Sequence, residues 1–163
     1  MRKLRLVFAK TGRARWLSHL DVMRVLQRGL TRLGAPVAYS QGFNPHMKMS
    51  IALPCPVGVE SVCEICDVTF DSDTYKPPIA ELILPEGFSV MRVILPIVPA
   101  KDIKWIDYDV ELTYTDKPSE LLRVRLSAQN PTEKPASVAE RHEADAYRAR
   151  RVGLFLEGGE PIL

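Results

Sequence analysis

Long apolar runs are missing from this 163-residue chain. None approaches the roughly 20 residues that a membrane-spanning helix needs, and residues 1–10 return to charge too soon for a secretory signal. A cytoplasmic protein with no membrane partner is expected. Cysteine is scarce as well, and three residues, an odd number, argue against a disulfide framework. Cys63 and Cys66 stand in C-x-x-C spacing, but no second pair accompanies them, and on a strand the two would point to opposite faces. There is no C-x-x-x-C-x-x-C run to hold an iron–sulfur cluster. The expectation is therefore no metal and no cofactor in this chain. Repeats of fixed period and low-complexity tracts are absent too.

Acidic residues are nearly absent from one region. Residues 1–50 hold ten Lys and Arg against Asp21 alone, whereas residues 51–100 hold two basic and seven acidic residues, and residues 101–163 hold ten and twelve. The overall net charge of +2 hides this basic N-terminal stretch. Such a bias fits a polyanion such as RNA, a solubilising face, or an acidic protein partner. The remaining composition, 46% hydrophobic and 26% charged, is that of a globular chain of one domain or two small ones.

Hydrophobic periodicity gives the elements. Residues 3–10 alternate as a strand and end at Thr11-Gly12. Ser18-His-Leu-Asp21 has capping-box spacing, so a helix is expected to start at His19, with Asp21 at the positive end of its dipole and Gly34 as its stop. Val22, Met23, Leu26, Leu30 and Leu33 share one face, while Arg24, Arg28 and Arg32 line up with Asp21 on the other. Strands are expected at 37–39, 47–53, 62–70 and 88–95, with a short helix over 77–84. That order, β-α-β-β-β-α-β, is a ferredoxin-like α+β pattern with an added strand. After a linker at 96–101, strands at 106–114 and 122–126, a helix at 136–142 and a strand at 147–156 make a β-β-α-β unit too slight to stand alone. The expected division is a ferredoxin-like domain over 1–97 and a smaller unit over 98–163, a degenerate second half packed on the first.

One stretch departs from generic scaffold. Tyr39-Ser-Gln-Gly-Phe-Asn-Pro-His-Met-Lys-Met-Ser50 joins two expected strands, with Gly42 and Pro45 shaping its backbone and Gln41, Asn44, His46 and Lys48 able to converge on a ligand. Arg13 and Arg15, on the connection after the first strand, would flank whatever that loop binds, or are solvated loop arginines. The arginine ridge can follow a phosphate backbone or be a helix's wet side. His19 falls by helical angle among the apolar residues, and a core histidine at a helix N-terminus is favoured there over a catalytic one.

Three segments taken together, Trp16-Leu-Ser-His-Leu-Asp-Val-Met-Arg24, Pro36-Val-Ala-Tyr-Ser-Gln-Gly-Phe-Asn-Pro-His46, and Ala52-Leu-Pro followed by Pro56-Val-Gly-Val-Glu-Ser61, closely resemble the bacterial family called radical SAM-linked proteins. The likeness covers residues 3 to about 95, and Arg150-Arg-Val-Gly-Leu-Phe155 resembles the family's end. Ser18, His19, Asp21, Arg24, Tyr39, Ser40, Gln41, Gly42, Asn44, Pro45 and His46 match its pattern. Met47 and Lys48 stand where the family has proline and arginine, which keeps a cation but loses the bidentate fork. The second half is shorter than the family's. The resemblance implies a partner rather than a reaction. Members are encoded beside, or fused to, a radical S-adenosylmethionine enzyme, and that enzyme would carry the iron–sulfur cluster and S-adenosylmethionine.

The expected function is an accessory protein that presents tRNA or rRNA to such an enzyme. Arg13, Arg15, Arg24, Arg28 and Lys48 would meet phosphate; Tyr39, Gln41, Asn44 and His46 would meet the nucleotide. Two alternatives stay open: a metal-independent ribonuclease with His19 and His46 as acid and base and Lys48 stabilising the transition state, and a non-catalytic docking module for the radical enzyme.

Overall fold

The computed structural model describes residues 1–95 and 98–162. Nine regular elements alternate along the chain: β1 (Arg2–Lys10), α1 (His19–Arg32), β2 (Met49–Ala52), β3 (Glu60–Phe70), β4 (Phe88–Ile94), β5 (Trp105–Thr113), β6 (Glu120–Ser127), α2 (Pro135–Arg141) and β7 (Ala146–Phe155). The strands form one mixed sheet in the order β4-β1-β3-β7-β5-β6, with β2 also on β3. The fold is therefore α+β, a seven-strand mixed sheet with two helices.

Local signals explain α1. The Ser18 hydroxyl accepts from the Asp21 amide, and the helix ends with Gly34 at φ 66° and the Ala35 amide donating to the Leu30 carbonyl, a Schellman closure. Val22, Leu26 and Leu30 bury against Leu4, Leu6 and Phe8 of β1 and Cys66, Val68 and Phe70 of β3. The opposite face of the same two strands is covered as well. Val7, Cys63 and Ile65 join Tyr108, Val110 and Leu112 of β5, Ala149 and Leu154 of β7 and Val138 of α2 in a second core. Cys63 and Cys66 thus lie in different cores, as strand alternation requires.

β3 divides one of its edges between two partners. Residues 65–68 pair antiparallel with β2, and Glu60 and Ser61 pair in parallel with β7. Between them the edge belongs to neither strand, and this fork is where the N- and C-terminal strands meet.

Two expected elements are replaced. Residues 37–39 make only isolated bridges, Val37 to Phe70 and Tyr39 to Met47. The place beside β3 is shared with the returning chain: the Thr69 carbonyl accepts from Ala38, and the Thr69 amide donates to the Lys48 carbonyl. The helix expected over 77–84 shrinks to a single 3-10 turn, Ile79–Glu81. Pro77 and Pro78 supply no amides, and Leu82 and Leu84 lie against α1 at Gly29, where an added Cβ would meet Leu84 Cδ2 at 2.8 Å. Of the expected linker, residues 96 and 97 lie outside the described residues, and Ala100–Asp102 forms a 3-10 turn. No described helix is long and apolar enough to cross a membrane.

Candidate functional site

The loop leaves the sheet at Thr69 and returns to it at the same residue. Its neck is closed by the Lys48 amide on the Ala38 carbonyl at 2.7 Å, the Ser40 amide on the His46 carbonyl at 2.8 Å and the His46 amide on Ser40 Oγ at 2.9 Å. Residues 41–46 beyond this neck are all exposed, and Phe43 stands fully in solvent. Gly42 has φ 123° with open space around its Cα, so backbone angle rather than crowding requires glycine there. Among the described residues the side chains of Tyr39, Gln41, Asn44, His46 and Lys48 make no hydrogen bond or ion pair. The neck is built by main chain and Ser40, leaving these groups available to a ligand.

His19 is exposed, which overturns the expected core histidine. First-turn side chains of a helix point back past its start, and here that direction leads beyond the apolar contact of Val22 and Leu26. His19 borders a small cavity with Lys10, Ile51 and Glu64. His46 sits on the loop anchored at Thr69. Glu64 and Thr69 are five residues apart on β3, roughly 16 Å at strand rise, and among the described residues no hydrogen bond links the two histidines. Arg13, Arg24, Arg28 and Arg32 are exposed; Arg24 is paired with Asp21 at 3.1 Å, and Arg15 lies over the Trp16 ring and near Glu60.

A charged seam at the fork escapes a reading by motif. Glu60, 2% exposed, accepts from the Gly12 amide at 3.0 Å, Arg148 at 2.9 Å and Arg150 at 2.7 Å, with Arg15 at 3.5 Å. Burial by itself would raise its pKa, but the hydrogen bonds from Arg150, Arg148 and the Gly12 amide outweigh that and lower it to about 2. Two pleats further along β3, Glu64 accepts from Arg151 at 2.9 Å and from the Cys55 amide at 3.1 Å. Arg151 also donates to the Leu53 carbonyl and to Tyr108 Oη. Burial pushes the Cys55, Cys63 and Cys66 thiols up to about 12, 11 and 12, so all three are neutral and none is a thiolate nucleophile near neutrality. The signal available in the sequence was the placement of Glu60, Glu64 and Asp67 inside an otherwise apolar strand, opposite a last strand carrying three arginines.

A family model described as an uncharacterized protein conserved in bacteria (DUF2344) matches residues 3–116. The chain belongs to this family. No curated protein matches it. The matched span contains the loop, α1 and the Glu60, Glu64 and Tyr108 members of the seam; Arg148, Arg150 and Arg151 lie beyond it. Among the described residues, no group of three or more His, Cys, Asp or Glu is placed to hold a metal ion.

Folding redistributes the N-terminal charge. Arg5 is buried in a two-pronged pair with Asp67 at 2.7 and 3.0 Å, Lys3 reaches the same carboxylate, and Lys10 is buried. Acidic residues of β3 therefore answer part of the excess. Arg13, Arg28, Arg32 and Lys48 remain exposed without a carboxylate among the described residues, and Arg148 and Arg150 join Arg15 around Glu60 from the far end of the chain.

Proposed function

We propose that this chain is an accessory protein that holds structured RNA, tRNA or rRNA, for modification by a radical S-adenosylmethionine enzyme. The single observation that carries the reading is the loop: an aromatic fully in solvent at its tip, with two amides, an imidazole and a lysine bearing no internal partner. Proteins that read unpaired nucleotides use aromatic faces for stacking and amide edges for hydrogen bonding, with cations on the flanking phosphates. Phe43 and Tyr39 supply the faces; Gln41, Asn44 and His46 supply the edges. Lys48, Arg13 and Arg28 supply charge, while Arg148 and Arg150, held by Glu60 at 2.9 and 2.7 Å, add little to it. Arg15 and Arg24, held by Glu60 and Asp21, contribute less than their sequence positions imply.

The strand order β4-β1-β3-β2, antiparallel throughout with α1 between β1 and β2, supports a ferredoxin-like reading of the first 95 residues, with a 3-10 turn in place of its second helix. On that reading the chain divides near residue 97, and the fork joins the two units. The partnership with a radical enzyme rests on the resemblance of the three N-terminal segments.

The test is sequencing of RNA crosslinked in cells to the wild-type protein and to His46→Ala. Specific transcripts lost in the variant support the reading. Their absence from both samples, with a protein partner retained after nuclease treatment, replaces it with docking through the same loop.

A further inference from the structure

Three cations of the fold are almost wholly buried, and two of them have a carboxylate of their own. Arg5 has Asp67 and Arg151 has Glu64. Lys10 is the exception. Lys10 is 2% exposed, and among the described residues its ammonium donates only to the Cys55 and Pro56 carbonyls, at 3.3 and 3.4 Å. Both contacts are longer than an ordinary N–H···O hydrogen bond. Among the described residues no carboxylate stands at ion-pair distance from it. Taking an ammonium out of water with so little in return is unfavourable, and the nearby Glu64 is already engaged by Arg151 and the Cys55 amide. Lys10, Arg151 and Glu64 leave one positive charge without a counterion.

That charge borders a cavity of about 10 Å³, room for one oxygen-sized atom. Val22, Ile51 and Pro54 give it apolar walls, Lys10 and Glu64 line its buried side, and exposed His19 borders its solvent side. His19 is also the first residue of the 14-residue α1, and the amides of its first two residues have no partner within the described chain. The acid of that turn, Asp21, is held by Ser18 and Arg24.

We infer that this cavity is a binding site for a single oxyanion, a phosphate or a carboxylate, which enters past His19 and places one oxygen on the Lys10 ammonium. The cavity's size makes the contact one-pronged. The rest of the anion stays at the surface, beside the His19 imidazole and the positive end of α1. Lys10 supplies the charge, the apolar walls exclude water from it, and Arg151 keeps Glu64 from repelling the guest. The site is separate from the loop and does not rest on RNA binding.

The chain has three histidines, His19, His46 and His142, so their imidazole signals serve as resolved reporters. The full chain is titrated with inorganic phosphate and, separately, with acetate, at fixed pH and with chloride holding ionic strength constant. The expected result is a saturable shift of the His19 signal with at least one oxyanion, an unshifted His142, and an affinity at least tenfold weaker in Lys10→Met. Saturation by phosphate alone assigns a phosphate ligand, and by acetate alone a carboxylate. No saturable His19 shift with either anion, or the same shift in Lys10→Met, overturns the inference. If Lys10→Met does not fold, Lys10→Arg, which keeps the charge but fills the cavity, must lose the shift while His46 and His142 keep their wild-type signals; an undiminished shift there equally overturns it.

Discussion

The loop and the fork handle polar groups in opposite ways. In the loop, main-chain bonds at the neck hold the shape and the side chains are left to solvent. At the fork the side chains are the structure: Glu60, Glu64 and Arg151 are buried, and each meets partners more than 40 residues away in sequence. Lost side chains should therefore cost the loop its ligand and the fork its stability. The contrast separates groups that hold the fold from groups available to act.

The largest effect is expected at the fork. Glu64→Gln leaves Arg151 buried beside a neutral amide, and breaking one side of a buried pair costs about 3–5 kcal/mol. Urea denaturation should show that loss. Glu64→Leu combined with Arg151→Met should recover most of it, since apolar replacement of a whole buried pair is often neutral. A double variant as unstable as the single would mean that the seam's geometry, rather than its unpaired charge, governs the cost.

The next effect is set by pH. Folding lowers the pKa of Glu60 from 4.5 to about 2. Its ionised form therefore stabilises the fold fully above pH 4.5, and that contribution disappears as pH falls from 4.5 towards 2. Other carboxylates titrate in this range, Asp67 among them, so the informative quantity is the difference between wild type and Glu60→Gln. The gap in denaturation midpoint should be widest near neutrality, narrow as pH falls below 4.5 and close near pH 2. A gap independent of pH would remove the ionised carboxylate from the explanation. A smaller loss, about 1 kcal/mol, is expected for Ser18→Ala, which removes the α1 cap but touches neither region.

α1 and the loop were legible in the sequence because their determinants are local. Ser18, the apolar positions from Val22 to Leu30, and Gly34 lie within one helix length of one another. The alternation of β5 was readable for the same reason. Residues 37–39 and 77–84 are not legible locally because neighbours distant in sequence decide them: the return of Lys48 to Thr69 leaves the first only part of the β3 edge, and the close approach of Leu84 to Gly29 shapes the second. His19 was assigned to the core by an angle that ignores where a first-turn side chain projects. The seam was hidden most deeply. Glu60 and Glu64 look like wet-face residues until β7 arrives with Arg148, Arg150 and Arg151. The charge bias of residues 1–50 was real as a count, but β3 neutralises part of it.

The loop side of the contrast is tested by Phe43→Ala, which should change stability by no more than about 0.5 kcal/mol, as expected for a surface position. Its effect should fall on binding, because a lost aromatic stack on one base is worth about 1–3 kcal/mol. The decisive measurement is the affinity of wild type and Phe43→Ala for single-stranded and hairpin RNA from 50 to 300 mM salt, concentrations of the order at which phosphate contacts are read. Wild-type binding should weaken steadily with salt, and the variant should be weaker by roughly 5- to 150-fold with the same salt slope. Binding that ignores ionic strength, or is equal in the two proteins, would contradict RNA binding through this loop.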